Sequence, residues 1–262
     1  MSYTWNAEDY KKHSSGQKLW ADELLAKLEL NGSEKVLDLG CGDGKITVEL
    51  AKLLPNGSVI GGDYSPAMIE LAKSQYEDKL ANLSFSLIDA SKLEFEEEFD
   101  YIFSNAALHW VKDHRPVVEG MYKSLKPNGK ILLQMGGQGN AADIIEVINE
   151  IIEQDYPEEF RDFDFPYGFY GTAEYRELLT GCGFNVDRLE LIPKDMLHEG
   201  KSGLAAWLRT TWLPYTHRIA KSQRDTFIDQ ISSLYLEKFP LDSKNKAHVA
   251  MVRIEVAASK AN

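Results

Sequence analysis

The 262-residue chain is 44% hydrophobic and 27% charged, the composition of an ordinary folded protein with length enough for a full core: one large domain, or a core with a substantial insertion. Its formal net charge of -12 opposes a phosphate backbone and disfavours nucleic acid as a partner. The two cysteines, Cys41 and Cys182, suggest neither a disulfide framework nor a metal cluster, so a reducing cytoplasm and no metal are expected; no leader pattern and no membrane-length apolar run are seen.

From about residue 14 to 30, Leu19, Trp20, Leu24, Leu25 and Leu28 recur at helical spacing behind two serines that can cap the turn, which predicts an amphipathic helix. Short apolar runs near 35–39, 57–62, 83–88, 99–104 and 129–135 then read as strands, and helical patterns fall near 44–54, 65–76 and 114–125. That alternation predicts an α/β fold, a parallel sheet covered by helices. Ser65-Pro66 offers an N-cap followed by proline at the first helical position, and Lys126-Pro127-Asn128-Gly129 is a turn ahead of a buried strand.

Past Met135 the regularity changes. Gly136-Gly137-Gln138-Gly139 breaks the strand, Ile144, Ile145, Ile148, Ile151 and Ile152 mark a helix, and Asp155 to Gly171 is rich in Phe, Tyr and acids, which reads as an insertion over the sheet edge. A helix near 172–180, a strand near 184–192, helical stretches through about 202–238 and a strand over 251–257 complete the chain. Trp207, Trp212, Tyr215, Tyr235 and Phe239 read first as core aromatics.

The chemistry concentrates at strand ends. Val36-Leu37-Asp38-Leu39-Gly40-Cys41-Gly42-Asp43-Gly44 runs from an apolar strand through three alternating glycines into a helix, a turn that lets a ligand approach the backbone closely. The dinucleotide fingerprint wants its third glycine where this chain has Lys45, and no Gly-Lys-Ser/Thr follows for a phosphate loop. Asp38 beside the ligand would repel a phosphate but suit an amino-acid ammonium. Asp63 ends the second strand, where a carboxylate can accept both hydroxyls of a ribose, and Asp89-Ala90 ends the third, where an acid can accept from an adenine amino group.

These motifs, VLDLGCGDGKIT, VIGGDYSPAMIELA, LIDA and FDYIFSNAALHW over about residues 33–136, resemble those of the class I S-adenosylmethionine-dependent methyltransferases. The resemblance implies a doubly wound, mostly parallel seven-stranded sheet of Rossmann-like type with an antiparallel last strand and helical lid insertions. It implies S-adenosylmethionine as cofactor, with Gly40, Gly42 and Gly44 around it, Asp63 on the ribose with Tyr64 and Met68 beside it, Asp89 and Ala90 at adenine, and Asn105 flanking the sulfonium. The expected organisation is a helical lid over 1–32, the cofactor-binding core over 33–136, an insertion over 137–171, and a carboxyl-terminal part of the sheet over 172–262 with a helical substrate cap at about 200–246.

Outside those motifs, NAALHWVKDH, ILLQM and AAWLRTTWLPY look like the trans-aconitate and malonyl-carrier-protein carboxyl methyltransferases, and the amino-terminal helix is similar to that of juvenile-hormone-acid and salicylate-type enzymes. In that likeness Gln17 and Trp110 hold a substrate carboxylate by an amide and an indole N–H. A small-molecule carboxylic acid is then the expected acceptor, with no membrane partner and a monomer or homodimer as the assembly. His109 is read first as a substrate-binding residue and second as a general base for a phenol, amine or quinone-like acceptor; His114 is read as structural. Tyr167, Phe169, Tyr170, Trp207 and Trp212 are expected to line the acceptor pocket, and Arg209 and Arg218 to pair with further carboxylates. A protein that keeps the fold but transfers nothing is the remaining class.

Overall fold

The computed structural model describes residues 15–261, with side chains from Trp20 onward except Glu77. The part of the expected lid ahead of residue 15 and the Gln17 side chain lie outside these described residues.

Helix α1 (Ser15–Leu25) buries Trp20, Ala21 and Leu24, one face at helical spacing. Strand β1 (Lys35–Leu39) is buried from Val36 to Leu39 without alternation, the signature of a strand covered on both faces. The chain continues through α2 (Lys45–Leu53), β2 (Ser58–Asp63), α3 (Pro66–Ala72), β3 (Leu83–Leu87), β4 (Phe99–Asn105), α4 (Arg115–Ser124) and β5 (Leu125–Gly136). Next come α5 (Ala142–Asp155), α6 (Thr172–Gly181), β6 (Phe184–Glu199), α7 (Gly200–Thr211), α8 (Leu213–Thr216), α9 (Arg224–Lys238) and β7 (Lys246–Lys260). As the sequence predicts, Ser65 caps α3: its hydroxyl accepts the Met68 N–H at 3.4 Å, with proline at the first helical position.

The strands form one seven-stranded sheet in the order β3-β2-β1-β4-β5-β7-β6. Pairing is parallel from β3 to β5, and β7 runs antiparallel to β5 with Met135 opposite Ile254. Successive residues feed opposite cores. Leu37, Ile102, Leu133 and Val256 pack in one cluster with Val117 and Met121 of α4, whereas Val36, Phe103 and Leu132 pack in the other with Leu50 of α2. This period of two fixes the register, because a one-residue slip would exchange the two sets. The order reverses between β1 and β4, and the carboxyl ends of the strands at such a reversal are where open α/β sheets take ligands.

Some boundaries differ from the sequence expectation. β5 begins at Leu125, because the predicted turn around Asn128, left-handed at φ 63°, is absorbed as an irregularity of the β4–β5 pairing rather than ending it. β6 continues through Pro193 to Glu199, which an edge strand tolerates because proline's missing donor can face away from the sheet. Two 3₁₀ turns, Ala90–Lys92 and Leu108–Trp110, are too short to leave a periodic signal.

The chain divides into two compact units. One comprises Gln17–Gln138, Tyr167–Ile192 and Arg253–Asn262 and contains the parallel part of the sheet with the β5–β7 pairing. The other, within the described residues, comprises Ser15–Gly16, Gly139–Pro166 and Pro193–Val252. Its helices α5, α7, α8 and α9 bury Ile144, Val147, Ile148, Leu204, Trp207, Trp212, Tyr215, Phe227 and Tyr235, so the second-half tryptophans are interior residues, whereas Phe239 is more exposed. Arg218 is committed within this unit, lying over Phe160 and Phe163 and donating to the Glu159 carbonyl at 3.1 Å. No helix among the described residues is long and apolar enough to cross a membrane.

Candidate active site

The glycine turn after β1 is built by conformations that other residues rarely adopt: Gly40, Gly42 and Gly44 have φ of 83°, 54° and 81°. The Gly40 and Cys41 N–H groups donate to the Gly62 carbonyl at 2.7 and 3.0 Å, which ties the turn to the end of β2. A methyl group added to Gly40 would meet the Ala107 methyl at 2.1 Å, and one on Gly44 would meet the Phe85 ring at 2.7 Å. One added to Gly42 meets nothing within 4 Å. Gly40 and Gly44 are therefore required by packing, while Gly42 leaves open space of the kind a ligand can occupy.

Asp38 lies beneath this turn, 2% exposed, and accepts the Thr47 hydroxyl at 2.7 Å. Burial, partly offset by Thr47 and reinforced by Asp63, pushes its carboxyl up to about 7. Asp38, expected beside the ligand, is thus a buried carboxylate whose side-chain hydrogen-bond donor is Thr47. Thr47, on α2, is a partner the sequence reading missed.

Asp63 accepts the Gly42 N–H at 2.9 Å on one oxygen and the Ser65 N–H at 2.8 Å on the other. Burial raises its pKa despite these two hydrogen bonds. Tyr64 beside it is 65% exposed, an unusual position for a large aromatic and one that offers a flat face, while Met68 is buried in α3. Asp89 accepts both the backbone N–H and the hydroxyl of Ser91, at 2.9 and 2.6 Å, and so caps the 3₁₀ turn that carries Ala90. Burial opposes its charge, but Ser91 and Lys92 outweigh it and hold the carboxyl below its ordinary range.

At the end of β4, Asn105 is followed by Ala106 in the left-handed region at φ 55°, strain of the kind that concentrates at functional loops. The next residues form the 3₁₀ turn holding His109 and Trp110. Gly168 donates to the His109 carbonyl at 2.9 Å, so residues 167–169 run alongside this turn. The Tyr167 and Phe169 rings stack at 5.2 Å, Trp110 meets Tyr167 edge-on at 5.0 Å, and His109 lies 6.2 Å from both Tyr167 and Phe169. The expected aromatic lining from Tyr167 and Phe169 is thereby brought to Trp110.

The Gly136 N–H faces His109 Nδ1 at 3.5 Å, which favours the tautomer with its proton on Nε2. Burial, then the positive charge of Arg253, then His114, push the His109 pKa down to about 3. Arg253 is opposite Gly136 in the β5–β7 ladder and its guanidinium lies 4.8 Å from the Trp20 ring. The sequence reading passed over Arg253, although a cation inside the apolar run of the last strand was a signal. His114 is structural: it is buried, with its ring nitrogens on the Tyr175 hydroxyl and the Leu108 carbonyl at 3.2 and 2.9 Å.

An open α/β sheet with a glycine turn at its order reversal and acids at the ends of β2 and β3 defines a nucleotide-type ligand site. The methyltransferase-domain family model matches residues 30–165. An uncharacterised methyltransferase of Schizosaccharomyces pombe is 32% identical over 198 residues, 74% of this chain and 75% of that protein. Escherichia coli trans-aconitate 2-methyltransferase is 29% identical over 259 residues, 98% of each chain. Among solved structures, a provisionally assigned methyltransferase of Bacillus halodurans superposes with a TM-score of 0.64 at 19% identity, covering 92% of this chain and 99% of that one, a likeness of fold. The chain belongs to the class I S-adenosylmethionine-dependent methyltransferases.

Proposed function

We propose that the protein transfers the methyl group of S-adenosylmethionine to a carboxylate oxygen of a small organic acid, yielding a methyl ester. The observation that carries this reading is the setting of His109: the Gly136 N–H faces its Nδ1 lone pair, the rings of Trp110, Tyr167 and Phe169 lie beside it, and burial with the charge of Arg253 pushes its pKa down, all of which make it a poor proton acceptor. A phenol or an ammonium must lose a proton before it accepts a methyl group. A carboxylate is already ionised. The near-full-length similarity to a protein named as a methyltransferase of trans-aconitate, an acid, supports the same class of acceptor.

For the cofactor, the reading assigns the turn from Gly40 to Gly44 to the amino-acid end and Asp63 to the ribose. Tyr64 and Met68 flank the adenosine, Asp89 and Ala90 meet the adenine, and Asn105 stands beside the reacting centre. The cofactor supplies a methyl carbon made electrophilic by its sulfonium. Asp38, beneath the turn, adds negative potential toward the cationic end when ionised. Gln17 and Trp110 donate to the acceptor carboxylate and aim one oxygen at the methyl carbon, and His109 orients the acceptor without changing its protonation. Held by these residues, S-adenosylmethionine would supply its methyl carbon to that oxygen and leave as the thioether, a transfer that requires no proton to move. Orientation and exclusion of water by the rings of Trp110, Tyr167 and Phe169 supply the acceleration.

The test is turnover of a panel of carboxylic acids, phenols and amines with wild type, Gln17→Ala and Trp110→Phe. The reading expects acids alone to be methylated, with KM for the acid raised about tenfold or more in each variant, the loss of one charge-assisted hydrogen bond. Turnover of phenols or amines without acids overturns it.

A further inference from the structure

Glu255 on β7 is fully buried and takes two cations. The Lys27 ammonium donates to its two oxygens at 2.7 and 2.8 Å, and the Arg188 guanidinium of β6 lies 2.5 Å from one of them. Gln134, opposite Glu255 in the β5–β7 ladder, donates to it through its side-chain amide at 3.2 Å. The Gln134 carbonyl in turn accepts the Ala106 N–H at 2.7 Å, just ahead of the 3₁₀ turn that holds His109 and Trp110. Lys27 belongs to the closing turn of α1, where its own N–H donates to the Leu24 carbonyl at 3.0 Å. One buried carboxylate thus joins the end of α1 to the strands that carry the turn after β4.

A single cation neutralises Glu255, and Arg188 already supplies one. What Lys27 adds is the attachment of α1. A helix of eleven residues is too short to persist by itself, so its position depends on how it is docked. The apolar contacts of Trp20, Ala21 and Leu24 fix which face packs down, whereas an ammonium bonded to both oxygens of a buried carboxylate also fixes where along its axis the helix sits. The next ion pair on this segment, Glu29 with Lys130 at 3.6 Å, is exposed and too weak to take over that role. We infer that Lys27 is a positioning residue for the methyl acceptor: by anchoring α1 to Glu255 it sets residue 17 against the turn after β4. The inference rests on the assignment of Gln17 to the acceptor made above.

The test compares wild type with Lys27→Met, which keeps the apolar stem and leaves Glu255 paired with Arg188, with Lys27→Arg, which keeps the cation, and with Gln17→Ala and the double variant Lys27→Met/Gln17→Ala. The acceptor is whichever compound of the panel of acids, phenols and amines wild type methylates fastest. Lys27→Met is expected to raise its KM about fivefold or more, the scale of a charge-assisted hydrogen bond, with a smaller change in kcat. Amides of residues 19–25 should exchange at least about tenfold faster, because the helix opens locally. Lys27→Arg restores most of both effects, and S-adenosylhomocysteine affinity by calorimetry is unchanged in both Lys27 variants. The double variant has the KM of Gln17→Ala, because the two residues act through one contact.

Wild-type exchange of α1 in Lys27→Met, an unchanged acceptor KM, effects of Lys27→Met and Gln17→Ala that multiply in the double variant, or no turnover of any compound overturns the inference. Loss of S-adenosylhomocysteine affinity together with kcat assigns Lys27 to the fold and also overturns it. A phenol or amine as the best acceptor would sink the carboxyl-transfer reading and leave this one to be decided by KM and exchange. A silent Gln17→Ala beside a raised KM and faster exchange in Lys27→Met would sink the assignment of Gln17 and keep Lys27 as the anchor of α1, so the failures are distinct.

Discussion

The Gly42 N–H donates to Asp63 Oδ2 at 2.9 Å, so the glycine turn after β1 and the acid that ends β2 are one hydrogen-bonded unit. Asp63 also accepts from Ser65 through its other oxygen, which aligns the start of α3. Replacing it therefore disturbs two turns as well as any ligand contact. Asp63→Asn is expected to weaken S-adenosylhomocysteine binding at least about tenfold and to lower unfolding stability by about 1–2 kcal/mol. Calorimetry and denaturant titration on the same variant measure the two effects, and unaltered affinity would remove Asp63 from the cofactor site.

Gly40 and Gly42 are expected to respond differently to the same substitution. Gly40→Ala sets a methyl group against Ala107 and an L-residue at positive φ, so it should cost about 2–4 kcal/mol of stability. Gly42→Ala meets only the cost of positive φ, about 1 kcal/mol, but fills the open space above the turn. It should stay folded and lose cofactor binding. Thermal melts with and without S-adenosylhomocysteine separate the two outcomes.

The Asp38 carboxyl has a folded-state pKa near 7, raised by burial from 3.8. The folded protein therefore holds a proton that the unfolded chain releases between those values. Stability from this group is fully present below about pH 4, falls as pH rises through 7, and is constant above. Asp38→Asn, which can still accept from Thr47, removes that dependence. Its stability relative to wild type should rise between pH 5 and 7 and level off above, by an amount on the order of 3 kcal/mol. A parallel pH profile in the two proteins contradicts the assignment.

His109, with a pKa near 3, should contribute no inflection to the rate between pH 6 and 9. His109→Gln is expected to change kcat by less than about tenfold, the lower end of general-base effects, and to leave the pH profile unchanged. A pH-rate profile in wild type with a limb near 6.5 that disappears in the variant would instead make His109 a base.

The alternation of strands and helices and the acids after β2 and β3 were legible because periodicity and turn residues are local properties. The role of Asp38 was less so: its partner Thr47 is on the next helix, and only packing turns the carboxylate inward. Arg253 was passed over because its neighbours, Gly136 and Trp20, are brought to it by the β5–β7 pairing and by α1, long-range contacts that leave no pattern within the strand. The extension of β5 back to Leu125 was hidden by a Pro-Asn-Gly turn that the ladder absorbs as an irregularity.

The linkage of the transferred methyl group tests the central claim most directly. Purified protein is incubated with methyl-labelled S-adenosylmethionine and the acid that turns over best, and the labelled product is isolated and treated with mild alkali. A carboxyl methyl ester is predicted, releasing its label as methanol and returning the parent acid. A label that survives alkali on oxygen, nitrogen or carbon would contradict carboxyl transfer.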